Sequence, residues 1–215
     1  MSEPIRDEAS VTVQGNPRKP QGEAGAEMLS RMNRSHAEVT AWGISFLDLK
    51  PDDLVLDIGC GGGAALAYMA KTVTKGHLTG IDYSPVSVQS AAAYNRDLIA
   101  ENRMEIMEGS VESLPFPDSS FDRIITVESF YFWPSPQENL REVRRILKKG
   151  GKFLLIADIY GRDDLPQTAL DNIEKYGLYN PDPDTFLQLF RSAGFAEPRI
   201  HLKDETTWIC VEGNA

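Results

Sequence analysis

A carboxylate and three glycines in close register suggest a ligand-binding turn. Asp57, Gly59, Gly61 and Gly63 stand in the pattern D-x-G-x-G-x-G. They follow an apolar run, Leu54 to Ile58, and precede Ala64 to Lys71, a stretch of good helix formers. The stretch reads as strand, tight turn, helix. Glycines in such a turn let backbone approach a ligand with no Cβ in the way, and the helix start offers free N–H donors. Gly59-x-Gly61-x-x-Ala64 also satisfies the dinucleotide fingerprint, with Asp82 as a ribose partner. Asp57 argues the other way. A carboxylate at the strand's carboxyl end repels a diphosphate and attracts an ammonium or a sulfonium.

Strands and helices alternate along the chain around this turn. Strand 54–58 leads to a helix at about 63–73, and strand 77–81 ends at Asp82. Ser84-Pro85 is an N-cap with proline at the first helical position, opening a helix to about 101. Strand 104–108 ends at Gly109-Ser110, and strand 122–127 ends at Glu128. Pro134 and Pro136 precede a helix to Lys148. Residues 152–157 are an unbroken apolar run, as a central parallel strand requires. Asp182-Pro183 starts a helix that Gly194 stops. Residues 198–202 and 206–211 read as a terminal hairpin. Strands alternating with helices predict an α/β fold: a Rossmann-like doubly wound sheet, mostly parallel, with helices on both faces. Ligands of such sheets bind at the carboxyl ends of the strands, where Asp57, Asp82, Ser110 and Glu128 lie.

Residues 50–212 resemble the class I S-adenosylmethionine-dependent methyltransferases, closest to the small-molecule, ubiquinone-type branch (methyltransferase type 11-like). The matching pieces are Asp57 to Gly63, Gly80-Ile81-Asp82-Tyr83-Ser84, Gly109 to Phe116, Ser120-Phe121-Asp122 and Leu147-Lys148-Lys149-Gly150-Gly151. The resemblance implies S-adenosyl-L-methionine as cofactor, a small-molecule methyl acceptor and an antiparallel last strand. It also implies a site. Asp57, Gly59, Gly61 and Gly63 form the cofactor turn. Asp82 accepts from the ribose hydroxyls, which charge assistance strengthens, and Tyr83 packs beside adenine. Ser110 stands where many relatives carry Asp, and the Val111 N–H could serve adenine as well. Glu128 opens the run Ser129-Phe130-Tyr131-Phe132-Trp133, which in the family faces methyl donor and acceptor. Phe130 and Phe132 read as packing; Tyr131 and Trp133 read equally as packing or as contacts to donor and acceptor, with Tyr131 the catalytic candidate.

In the N-terminal segment, composition and periodicity point in different directions. Residues 1–26 are rich in Pro, Gly and charge, a composition that predicts a disordered tail. Yet Met28, Leu29, Met32, Val39, Trp42 and Phe46 follow at helical spacing, which predicts two short helices, about 24–33 and 36–47, with a cap at Asn33 or Ser35. The leader Gly-Asn-Pro…Gly-x-x-Gly…Met-Asn-x-x-His…Trp-Gly resembles that of a bacterial and archaeal subgroup of these methyltransferases, which implies a lid over the cofactor. The expected division is therefore 1–49, extension and lid helices, and 50–215, cofactor-binding domain. His36, at the centre of the polar knot, is either a capping or core histidine or a catalytic proton acceptor.

Composition bounds the rest. The chain has 215 residues and a formal net charge of −10, which argues against capture of nucleic acid or anionic membrane. Arg144, Arg145, Lys148 and Lys149 read as the solvated end of a helix. No apolar run approaches the roughly 20 residues of a membrane helix, and Met1-Ser2-Glu3-Pro4 has no apolar signal region. A cytoplasmic monomer or homodimer is expected. Two cysteines and three scattered histidines offer no metal-ligand spacing, so no metal is expected. The alternatives are an NAD(P)-dependent oxidoreductase on a similar sheet and a non-catalytic S-adenosylmethionine-binding protein.

Overall fold

A computed structural model describes residues 8–215; the part of the N-terminal expectation that falls on residues 1–7 lies outside them. The chain begins with α1 (Glu8–Gly15), α2 (Gly22–Ser35) and α3 (Ala37–Ile44). The alternation then runs β1 (Leu54–Ile58), α4 (Ala64–Met69), β2 (His77–Asp82), α5 (Pro85–Tyr94), α6 (Arg96–Ala100), β3 (Met104–Glu108) and β4 (Phe121–Val127). A single 3-10 turn, Phe130–Phe132, leads to α7 (Pro136–Ile146), β5 (Leu147–Ala157), α8 (Gln167–Tyr176), α9 (Pro183–Ser192), β6 (Ala196–Leu202) and β7 (Ile209–Asn214). The sheet order is β3-β2-β1-β4-β5-β7-β6. β1 to β5 pair in parallel, and β7 runs antiparallel to both β5 and β6. This is the doubly wound α/β sheet with its terminal hairpin that the sequence predicts.

Apolar side chains of the central strands feed two cores, one on each face. Leu56, Ile58, Ile124, Phe153 and Leu155 pack with α7 and α9 on one face. Val55, Leu78, Ile125, Leu154 and Ile156 pack with α3 and α4 on the other. The N-terminal stripe is therefore split in use. Val39, Ile44 and Leu47 of the α3 region join the second core. Gly43 lies so close to the sheet that a Cβ there would stand 2.6 Å from Ile156.

Several boundaries differ from expectation, each for a local reason. α4 ends at Met69 because the chain must turn back: Lys75 and Gly76 N–H groups donate to the Pro51 carbonyl at 2.8 and 2.9 Å. The helix expected to run to 101 breaks at Asn95, whose side chain is taken by the glycine turn. β7 continues past Val211 to Asn214, since buried Glu212 is satisfied by His201 at 3.1 Å and lies 3.5 Å from Lys152. α1 and α8 have no counterpart in the sequence reading. α1 lies in the segment whose composition predicts disorder, and its Gly15 lets α2 approach, a Cβ there falling 2.9 Å from the Ala24 carbonyl. α8 buries none of its residues, so no core stripe announces it. The basic cluster is structural: Arg145 holds Glu142, Asp118 and two backbone carbonyls, Lys148 holds Asp122, and Arg144 donates to the Gly194 carbonyl.

Candidate active site

Residues 59–63 turn sharply because Gly59, Gly61 and Gly63 take φ of 72°, 51° and 79°, the left-handed region that glycine adopts without steric cost. The turn is anchored on all sides. Gly59 and Cys60 N–H groups donate to the Ile81 carbonyl, and Asn95 Nδ2 donates to the Gly63 carbonyl at 3.0 Å. Asn33 Nδ2, on α2, donates to the Gly62 carbonyl at 3.0 Å. Neither Asn33 nor Ser35 caps α3 as expected: Asn33 serves the turn, and Ser35 Oγ donates to the Met32 carbonyl. The helix break falls at His36 itself.

Two carboxylates face each other beneath this turn. Asp82 accepts from Gly61 N–H at 3.0 Å and from Ser84 N–H at 2.9 Å. Burial lifts its carboxyl above the usual range, opposed by those two donors. Asp57 is 1% exposed, and its Oδ1 is buried with no hydrogen-bond partner. Burial, then the charge on Asp82, pushes the Asp57 carboxyl up to about 8. An unpaired buried carboxylate is costly unless a donor or cation arrives.

Both carboxylates open onto one cavity of about 1440 Å³ at the carboxyl ends of β1, β2, β4 and β5. That exceeds the roughly 300–1,000 Å³ of single-ligand pockets, so cofactor and acceptor fit together. Asp57, Gly59, Gly61, Asp82, Tyr83, Ser110, Val111, Glu128, Tyr131 and His36 all line it. Gly63 lies behind the wall, its would-be Cβ against Asn95. Ser110 Oγ accepts from Glu112 N–H and bonds Glu112 Oε2, both at 3.2 Å. Glu112 thus brings a carboxylate to the end where Ser110 lacks one. The Tyr83 hydroxyl donates to the Arg18 carbonyl, and Ser84 Oγ donates to the Pro20 carbonyl at 2.6 Å. These bonds lay residues 17–20 across the mouth.

At the far end, Glu128 adopts φ 54° and accepts from the Asp158 N–H. The Tyr131 hydroxyl lies 3.3 Å from Glu128 Oε1 and 3.4 Å from Asp158 Oδ1, and accepts from Ile159 N–H at 3.3 Å. Burial first, then the neighbouring carboxylates, keeps the Tyr131 phenol protonated and holds the Glu128 carboxyl well above its usual value. His36 completes the group. Burial lowers its pKa, opposed by Asp158, so the imidazole is neutral at pH 7. Phe130 is core, packed on Trp133, Tyr179 and Phe186. Phe132, expected as packing, does pack against that core, and it also lines the cavity under the Arg18 guanidinium.

The sequence assigns no role at the site to Asp158, Glu112, Asn33 or Asn95. Asp158 was findable, because it follows the apolar run of β5 as Glu128 follows β4. The asparagines carry no such signal; only the fold brings them to the turn.

The family described as a methyltransferase domain matches residues 56–155. The 2-methyl-6-phytyl-1,4-hydroquinone methyltransferase of Arabidopsis thaliana chloroplasts is 34% identical over 150 residues, covering 70% of this chain and 42% of that protein. The chain thus spans about two-fifths of the length of that relative. The uncharacterized methyltransferase YdaC of Bacillus subtilis is 25% identical over 173 residues, 80% of this chain and 88% of that one. A solved S-adenosylmethionine-dependent methyltransferase from Aquifex aeolicus superposes with a TM-score of 0.68 at 22% identity, over 87% of this chain and 97% of the other. The unpaired Asp57 oxygen beside a glycine turn, in a cavity with room for two ligands, suits a sulfonium-bearing cofactor. With these relatives, it follows that the chain belongs to the class I S-adenosylmethionine-dependent methyltransferases.

Proposed function

We propose that the protein transfers the methyl group of S-adenosylmethionine to a small-molecule acceptor bound at the His36–Glu128–Asp158–Tyr131 end of the cavity. The observation that carries the reading is the buried, unpaired Asp57 oxygen. A cationic or donor group in the turn would satisfy it and favour its ionised form, whereas a dinucleotide would bring a diphosphate there. The cofactor supplies an activated methyl group; the chain supplies alignment and exclusion of water, which account for most of the acceleration of an in-line displacement.

The residues divide by position. Gly59, Gly61 and Gly63 shape the turn, and Asp57 faces the cofactor's positive charge. Asp82, with lone pairs left beyond its two backbone donors, receives the ribose hydroxyls. Tyr83, Ser110 and Val111 flank adenine. Glu128 stands between donor and acceptor. His36 presents a neutral imidazole to the acceptor and Tyr131 a protonated phenol; these are the catalytic contacts. Residues 8–35 act as a lid over the domain that begins near residue 50. The name of the Arabidopsis relative supports a small organic acceptor. The net charge of −10 supports the exclusion of nucleic acid. Two buried, unpaired cysteines support a reducing, cytoplasmic location. No described helix is long and apolar enough to cross a membrane. The chain acts as a monomer or homodimer in this reading.

Titration calorimetry with S-adenosylhomocysteine tests the cofactor half. Asp82→Ala should weaken binding by about 1.5–3 kcal/mol, the range for hydrogen bonds to a charged group, or roughly 10- to 150-fold in affinity. Unchanged affinity would remove Asp82 from the site.

A further inference from the structure

We propose that the acceptor end of the cavity holds a divalent cation, bound by His36, Glu128 and Asp158. The proposal rests on the preceding reading only for its location. Each of the three side chains offers one donor atom, and the donor atoms all lie within 4.8 Å of one another. Donors about 2.1 Å from an octahedral ion stand about 3 Å apart when adjacent and about 4.2 Å when opposite. Small rotations of side chains already facing one cavity close that difference.

The donor set also has suitable ligand atoms, one imidazole nitrogen and two carboxyl oxygens. A histidine ligates through an unshared ring nitrogen, and the His36 side chain lines the cavity beside both carboxyl groups. Its ring makes no hydrogen bond to any described residue, so the lone pair is available. Glu128 and Asp158 form no ion pair with a lysine or arginine among the described residues. Two carboxyl groups, an imidazole and the Tyr131 phenol thus line one cavity without a direct ion pair to either carboxyl group among the described residues. One nitrogen and several oxygens suit Mn²⁺ or a neighbouring first-row ion better than the thiolate-seeking metals. The residues are 92 and 30 positions apart in the chain, which is why spacing does not reveal them.

The chemical consequence is a choice of acceptor. A cation there coordinates an ionisable oxygen, such as that of a phenol, enol or carboxylic acid, and lowers its pKa. The oxygen's proton leaves to solvent. Its electron pair then forms the bond to the methyl carbon as the carbon–sulfur bond breaks, the pair from that bond going to sulfur. The products are the methylated acceptor and the thioether. In this arrangement His36 acts as ligand and takes no proton itself.

Mn²⁺ is the probe. Calorimetry and electron paramagnetic resonance on the full chain should show one saturable site per chain with a Kd below about 1 mM. Glu128→Gln and Asp158→Asn should each weaken it at least about tenfold, and Mn²⁺ should broaden the His36 ring signals in the NMR spectrum of the unaltered protein. The last measurement needs no variant, so a variant that fails to fold leaves the test intact. No saturable binding by about 10 mM, far weaker than a built site, overturns the proposal. So does unchanged binding in both folded variants, or unbroadened His36 signals; each marks an adventitious ion only. S-adenosylhomocysteine binding measured without metal reports on the methyltransferase reading separately. If it stands while Mn²⁺ fails, the cation alone is lost.

Discussion

Asp57 is the residue at which the site is least comfortable without a ligand. Its carboxyl sits at about 8 in the folded chain against about 3.9 in an unfolded one. Folding therefore takes up a proton between those values, and the unfolded state binds fewer protons than the native one. The sign follows: this group leaves stability intact below about pH 4 and lowers it as pH rises toward 8, by about 1.4 kcal/mol for each pKa unit crossed. Asp57→Asn should flatten that fall in denaturant midpoints measured from pH 5 to 9. An equal pH slope in the variant would mean that Asp57 is not buried and ionisable as described. Gly59 makes a second point about residues. Read from the sequence, a valine there would block the ligand and spare the fold. In the structure Gly59 has φ 72°, and a Cβ would stand 2.5 Å from Ser129 Oγ. Gly59→Val should therefore cost about 1–3 kcal/mol of stability for the strained backbone alone. A melting temperature equal to the parent's contradicts this.

Among the elements, α2 decides how the cofactor turn is closed. It is amphipathic, with Ala24, Gly25, Met28 and Leu29 buried, and its last turn places Asn33 against Gly62, where a Cβ would fall 2.5 Å from the Asn33 carboxamide. The hydrogen bond from Asn33 to the Gly62 carbonyl ties helix and turn together. Asn33→Ala should destabilise the protein by about 0.5–1.5 kcal/mol, the net worth of such a bond. Its larger effect should be on ligand: S-adenosylhomocysteine affinity should fall about three- to tenfold, because the lid loses its latch on the turn. Calorimetry and denaturant melts on the one variant give both numbers, and a variant with parental affinity separates the helix from the site.

For the molecule as a whole, the first three helices divide between core and cover. α3 shares a core with Leu154, Ile156 and Cys210, and Phe46, just past its end, stacks on His201 at 4.0 Å. Val11, Met28 and Leu29 are buried but belong to neither of the two sheet cores. Removing residues 1–35 should therefore leave a cooperatively folding sheet domain with much reduced cofactor affinity and no turnover. In the intact chain, S-adenosylhomocysteine should slow amide hydrogen exchange across residues 14–36, as a closing lid requires. A truncated protein that binds and turns over like the full chain would make the segment a tail.

The strands, their order of alternation and the cofactor turn were legible in the sequence because each rests on local chemistry. A run such as Leu54–Ile58, short, apolar apart from Asp57 and closed by glycines, reads as a strand, and Asp57, Asp82 and Glu128 stand at strand ends, where open α/β sheets bind ligands. Elements without a local pattern were not legible. α8 buries nothing, and α1 exists because Gly15 admits α2. Only the tertiary structure decided who meets whom at the site. His36, Glu128 and Asp158 come from a helix junction and two separate strand ends, and Asn33 and Asn95 reach the same turn from opposite sides in sequence. Such meetings depend on the packing of helices across a finished sheet, and no spacing along the chain encodes that distance.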